Sequence, residues 1–122
     1  MKKVLLAIDG TRRSLTAAEY VSQKFDPKST MVYAVALGEA ALKETGRTGM
    51  PEGIENVLKG FCLEKKLFPS RTAGEKIVGF MYDNNIGTMV MAKPKRFGCG
   101  SDFDAAGQYA AKYSDSIVIM VP

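Results

Sequence analysis

The sequence predicts an α/β sandwich built on a mostly parallel sheet, and three observations carry that prediction. Four short apolar runs, Val4–Ile8, Thr30–Leu37, Thr88–Ala92 and Ile117–Val121, have the length of strands and lack polar alternation, the signature of strands buried on both faces. Segments with apolar residues at helical spacing lie between them. The connections are long enough for right-handed parallel crossovers. The chain carries no internal repeat, low-complexity tract or linker, so residues 1–122 are read as one domain in the order β-α-β-α-(β)-α-β-α-β.

Asp9-Gly10-Thr11 ends the first strand with turn chemistry. Ser14 is the expected N-cap of the first helix, whose inward stripe is Leu15, Ala18, Val21 and Phe25. Asp26-Pro27-Lys28-Ser29 closes it. After the second strand, Glu39 to Glu44 is read as a short helical continuation and Gly46 to Gly53 as a mobile loop. Ile54, Val57, Leu58 and Phe61 repeat at i, i+3, i+4 and i+7, which predicts a helix with one buried stripe; Pro51 suits its first turn. On that reading Cys62 is a small core residue on the helix. The third strand is expected to be short or missing, reduced to Leu67 and Phe68 before Pro69. Gly74 to Asn84 reads as a helix with Ile77, Val78 and Met81 inward, stopped by Asn84-Asn85 in left-handed geometry. Lys93 to Ser101 is a basic, glycine-containing loop, and a last helix starts at Asp102 or Asp104 and runs to Tyr113. Tyr109 and Tyr113, one turn apart, are expected to pack on the sheet, and Met31, Met81, Met89, Met91 and Met120 are read as core filler.

Composition narrows the chemistry. Hydrophobic residues make up 46% and charged residues 25%, an ordinary globular balance. The chain contains no histidine, which removes Ser/His and Cys/His nucleophile pairs and histidine metal ligands. Its two cysteines, Cys62 and Cys99, form no CxxC pair. No apolar run approaches the ~20 residues of a membrane span, and the stretch after Lys3 is too short for a signal-peptide core, so the expected location is cytoplasmic with reduced thiols. The net charge of +4 is scattered, with one cluster at Lys93, Lys95 and Arg96; it neither lines one helix nor interleaves with aromatic residues, which disfavours nucleic acid as a partner.

Several of these pieces resemble the universal stress protein family. Lys2-Lys3-Val4-Leu5-Leu6-Ala7-Ile8-Asp9-Gly10-Thr11 is similar to that family's opening strand and its Asp-Gly-Ser/Thr turn. Ser14 with Ala17, Ala18 and Tyr20, the strand ending Tyr33-Ala34-Val35-Ala36, the segment Ile86 to Ala92, and Ile117 to Pro122 fall in the family's order and spacing. Together they cover about two-thirds of the chain; residues 43–72 match poorly.

The resemblance implies a five-stranded sheet in the order 3-2-1-4-5, as in the adenine nucleotide alpha hydrolase-like folds, and a homodimer formed through the last strand, with Ile117, Ile119 and Val121 as contact candidates because an outer strand leaves backbone groups bare. It implies a ligand cleft where the strand order reverses, beside Asp9-Gly10-Thr11 and the loop starting at Lys93. Many relatives bind ATP there. Adenine would lie near Ala7, Asp9 and the backbone at Val35, and phosphates, with Mg²⁺, in the loop after the fourth strand. The candidate binding residues are therefore Ala7, Asp9, Gly10, Thr11, Val35, Ala92, Lys93, Lys95, Arg96, Gly98, Gly100 and Ser101.

The family's phosphate loop reads Gly, two residues, Gly, nine residues, Gly, then Ser or Thr, because glycines let backbone approach phosphate and N–H groups at the next helix hold the anion. This sequence departs from it. Ala92 takes the first glycine position, Lys95 the second, and Asp104-Ala105 falls near the closing pair. A carboxylate at a helix start repels phosphate. Lys93, Lys95 and Arg96 remain as point charges for an anion.

Three function readings follow. The favoured one is a regulatory protein of universal stress type, recognising a ligand or partner without turnover, in variants with and without ATP or AMP; the loop departures tip it towards the second. A nucleotide-hydrolysing enzyme of the same fold is the alternative, but it would carry Ser-Gly-Gly-x-Asp-Ser where this chain has Asp9-Gly10-Thr11-Arg12-Arg13-Ser14. A basic nucleic-acid module is the weakest. No catalytic residue or metal ligand is assigned; Gly98-Cys99-Gly100 is read as a flexible loop with an incidental cysteine in preference to a reactive thiol.

Overall fold

A computed structural model of the chain describes residues 2–8, 13–37, 52–68, 73–92 and 102–122. Five strands, β1 (Lys2–Ile8), β2 (Thr30–Leu37), β3 (Cys62–Phe68), β4 (Thr88–Ala92) and β5 (Ile117–Val121), form one all-parallel sheet in the order β3-β2-β1-β4-β5. Among the described residues the helices are α1 (Arg13–Lys24), α2 (Glu52–Val57), α3 (Ala73–Asp83) and α4 (Asp102–Tyr113). The apolar runs at the first, second, fourth and last strands therefore become the strands they predict.

The sheet is covered on both sides. Val4, Leu6, Ile8, Val32, Ala34, Ala36, Val90 and Ala92 point into one cluster with Ala17, Ala18 and Val21 of α1 and Ile54 of α2. Leu5, Ala7, Tyr33, Val35, Met89 and Met91 point into the other, with Ile77 and Met81 of α3 and Ala110 of α4. This alternation explains why Val4 to Ile8 carry no polar residue: each of these side chains is 0% exposed.

The local stops follow the turn chemistry. Asp26 Oδ1 accepts from the Lys28 amide at 3.1 Å and Asp26 Oδ2 from the Ser29 hydroxyl at 3.3 Å, fixing the exit from α1. Asn85 takes a positive φ of 55°, the Ile86 amide donates to Met81 O at 2.8 Å, and the Asn85 amide donates to Tyr82 O at 3.3 Å. That is a Schellman stop, sealed by apolar contact between buried Met81 and Ile86.

Four expectations need correction. The third strand is neither short nor missing: β3 pairs along β2 from Met31↔Cys62 to Leu37↔Phe68. It escapes detection because it is an edge strand with Glu64, Lys65 and Lys66 exposed, so it carries no apolar run. The helix before it stops at Val57, because Gly60 adopts φ 97° and turns the chain. Leu58 and Phe61 still face the core, but Cys62 opens β3 and is exposed. Ser14 lies inside the first turn of α1, fully buried, since the helix starts at Arg13. Finally, Tyr113 is 59% and Met120 41% exposed, so neither packs in the core. The helix read over Glu39 to Glu44, the loop residues before Pro51, and Pro69 lie outside the described residues.

The two sheet edges differ in kind. β3 displays charge, including Lys65 paired with Glu55 and Lys66 with Glu64 at 3.7 Å. β5 presents Ile-Val-Ile-Met-Val with Ile117 65% exposed and no charge along its length. Charged edges resist further pairing; bare apolar edges invite it.

Two glycines test the packing with opposite signs. A Cβ on Gly107 would overlap Met91 Sδ, and Met91 is fully buried. Helix propensity favours alanine by about 0.5–1 kcal/mol, but overpacking a sealed core costs about 1–3 kcal/mol, so overpacking wins. Gly107→Ala is expected to lower stability in urea unfolding. Gly79, exposed in α3 with nothing within 4 Å of its notional Cβ, lacks that cost, and Gly79→Ala is expected to raise stability by about 0.5–1 kcal/mol.

Candidate functional site

In an order of β3-β2-β1-β4-β5, the chain winds outwards from β1 to β2 and β3 on one side and through β4 to β5 on the other. The reversal falls between β1 and β4. α1, which follows β1, packs on one face of the sheet and α4, which follows β4, on the other, the arrangement in which open α/β sheets place a ligand crevice. The β1–β4 register runs from Val4↔Thr88 to Leu6↔Val90, which carries Ala92 to the level of Ile8. The two strands thus end at the same level, Ile8 beside Ala92.

Of the sequence-predicted site residues, Ala7, Val35 and Ala92 are described. Ala7 and Val35 are register partners on adjacent strands. Both are 0% exposed and belong to the cluster under α3 and α4. Ala92 ends β4 and faces the opposite cluster, under α1 and α2, at 3% exposure. The fold therefore brings Ala7 and Val35 together on one face and sends the Ala92 methyl to the other. Asp9, Gly10, Thr11, Lys93, Lys95, Arg96, Gly98, Gly100 and Ser101 lie outside the described residues, as does Cys99.

Each of the three central strands has an alanine at or next to its last position: Ala7 before Ile8, Ala36 before Leu37, and Ala92 at the end of β4. Small residues leave the backbone close to whatever occupies the mouth, which suits recognition of a flat group by main-chain atoms. Among the described residues no three His, Cys, Asp or Glu side chains gather to hold a metal ion. No described helix is long and apolar enough to cross a membrane.

At the opposite end of the sheet the sequence reading misses a second concavity. A groove of about 330 Å³ lies between the carboxyl ends of α3 and α4, before β4 and β5 begin. Its only sequence signal is an aromatic residue at or next to the last position of each helix, Tyr82 and Tyr113.

Neither a protein-family model nor a curated protein matches the sequence. Solved structures do match the fold. A universal stress protein from Archaeoglobus fulgidus superposes with a TM-score of 0.72 at 16% identity, covering 100% of this chain and 98% of its own. The same archaeon's protein in complex with dAMP gives a TM-score of 0.70 at 16% identity, over 100% of this chain and 98% of that one. A universal stress protein in complex with cAMP gives 0.69 at 13% identity, over 99% and 96%. The five-stranded parallel sheet, its strand order and its two helical layers are those of the universal stress protein fold.

Proposed function

We propose that this chain is a regulatory protein of universal stress type, which recognises an adenine mononucleotide at the carboxyl ends of β1 and β4 and does not transform it. The observation that carries this is the pairing of Ala7 with Val35 beside the strand-order reversal. Both side chains are buried, so the adjoining backbone is what meets an adenine ring. Neighbours of the same fold in complex with dAMP and cAMP support that ligand class.

A monophosphate suits this chain better than ATP. The glycines that let a phosphate chain lie against backbone are replaced at Ala92 and Lys95. Asp104 adds a carboxylate in the first turn of α4, where a phosphate would seek the helix amides. The Ala92 methyl is turned into the core, away from the face of Ala7 and Val35. Lys93, Lys95 and Arg96 supply point charges for one phosphate. Asp9, Gly10 and Thr11 supply the turn against ribose, while Gly98, Gly100 and Ser101 give the loop its reach and a hydroxyl. The chain has no histidine, so no Ser/His or Cys/His pair can form, and Asp9-Gly10-Thr11-Arg12-Arg13-Ser14 stands in place of the hydrolases' Ser-Gly-Gly-x-Asp-Ser loop, which supports recognition over hydrolysis.

The bare β5 edge supports a homodimer. A second copy pairing β5 against β5 is the self-complementary way to satisfy its free backbone groups, with Ile117, Ile119 and Val121 near the axis.

Calorimetric titration with dAMP, cAMP and Mg-ATP, with phosphate release followed in parallel, tests the reading. Saturable mononucleotide binding is expected, with ATP weaker by about fivefold, the weight of ~1 kcal/mol for a carboxylate at a helix start, and no turnover. Asp104→Gly with Ala105→Ser should recover that factor for ATP. Steady phosphate release would favour the hydrolase alternative, and absence of binding by all three would leave a partner protein as the recognised species.

The dimer has its own test. Light scattering should give twice the chain mass for the wild type and a single chain for Ile117→Lys, with an unchanged far-UV spectrum because Ile117 is an exposed edge residue. A wild-type monomer at high micromolar concentration would remove the dimer from the proposal.

A further inference from the structure

The groove between the ends of α3 and α4 has no part in nucleotide recognition. It opens at Gly87, five residues before the end of β4, so roughly 16 Å of strand separates it from the mouth at Ala92. Its floor is apolar, formed by Met81 and Ile86, both buried. Its rim carries Tyr82, 83% exposed, and Tyr113, 59% exposed, two of the four exposed large hydrophobic side chains among the described residues. Asp115 is the sole charged residue lining it, in a chain whose net charge is +4.

The backbone around the groove favours positive charge, because both helices end there and the carbonyl end of a helix carries partial negative charge. Two cations of the chain already answer part of it: Lys3 Nζ donates to Asn84 O at 2.9 Å, and Lys112 Nζ lies 5.3 Å from the centroid of the Tyr113 ring, which also packs against Tyr109 at 4.5 Å between centroids. The walls are held in place before any ligand arrives. The Ser114 hydroxyl donates to Ala110 O at 2.6 Å, the Ser116 hydroxyl to Ile86 O at 3.0 Å and the Ile117 amide to Gly87 O at 3.0 Å.

We propose that this groove binds a small organic cation with an apolar shell, a quaternary or methylated ammonium. A bare ammonium holds its water strongly and would lose it against Met81 and Ile86 without replacement. A methylated ammonium is weakly hydrated; its methyl groups cover the apolar floor between Tyr82 and Tyr113, and Asp115 neutralises it from the rim. The groove's volume lies at the small end of ligand sites, which fits a choline-sized body.

The probe is choline, compared with its uncharged isostere 3,3-dimethylbutan-1-ol at constant ionic strength, on the ¹⁵N-labelled full chain. Choline should produce saturable amide shifts at Asn85, Gly87 and Ser114–Ser116, and the isostere should bind at least about fivefold more weakly. Tyr82→Leu and Tyr113→Leu, both at exposed positions, should each weaken choline by about two- to fivefold. Asp115→Asn should weaken it and flatten its salt dependence. Equal response to the isostere, indifference to both tyrosine substitutions, or no saturable shift overturns the proposal. None of these outcomes bears on nucleotide binding at the other end of the sheet.

Discussion

The structure depends on the complete burial of β1. Five consecutive side chains, Val4 to Ile8, are removed from water, alternately beneath α1 with α2 and beneath α3 with α4. A strand in that position must be paired on both edges and covered on both faces, or its backbone and side chains are left unsatisfied. β2 and β4 supply the edges and the two helical layers supply the faces. Once β1 is central and the crossovers keep one hand, the chain has to run outwards on one side and then return to the other. The reversal between β1 and β4 is a consequence of burying this strand.

The same burial explains what could be read from the sequence. β1, β2 and β4 are legible because residues shielded on both faces admit only apolar side chains, so each strand shows as an unbroken run; β5 shows as an apolar run too, although it is an edge strand with Ile117 and Met120 exposed. β3 breaks that rule for a physical reason. It lies at an edge, and the residues that keep an edge from pairing further, Glu64, Lys65 and Lys66, erase the apolar run. The neighbouring error has a backbone cause. The stripe Ile54, Val57, Leu58 and Phe61 does face the core, yet Gly60 turns the chain before Phe61, so correct burial accompanied an incorrect helix length. Cys62 was misplaced as a result. The stop at Asn84-Asn85, by contrast, was legible because left-handed geometry selects so few residue types.

The candidate site was legible in part. Ala7 and Val35 are brought together by the β1–β2 register, which follows from the two apolar runs alone. That Ala92 turns to the opposite face is also written in the period-two alternation of β4 with Met89 and Met91. The groove at the other end was not legible. It is made by where α3 and α4 terminate relative to one another, a relation between segments about 30 residues apart that no local pattern encodes.

A parallel sheet with crossover helices has chemically distinct ends. Every strand points one way and every connecting helix returns the other way, so helix amino ends gather at the carboxyl ends of the strands and helix carboxyl ends gather at the opposite pole. In this chain α3 and α4 begin at Ala73 and Asp102 on the side where β3 and β4 finish, and end at Asp83 and Tyr113 where β4 and β5 start. The first pole is suited to anions and the second to cations, before any side chain is considered. The charged residues follow this polarity only in part. Lys93, Lys95 and Arg96 follow the end of β4 and Asp83 and Asp115 stand at the ends of α3 and α4, in step with the backbone, while Asp102 and Asp104 open α4 and Lys3 and Lys112 stand at the second pole, against it. The polarity of a parallel sheet, set when β1 is buried at its centre, is therefore a property of the backbone that side-chain charge tunes at each pole.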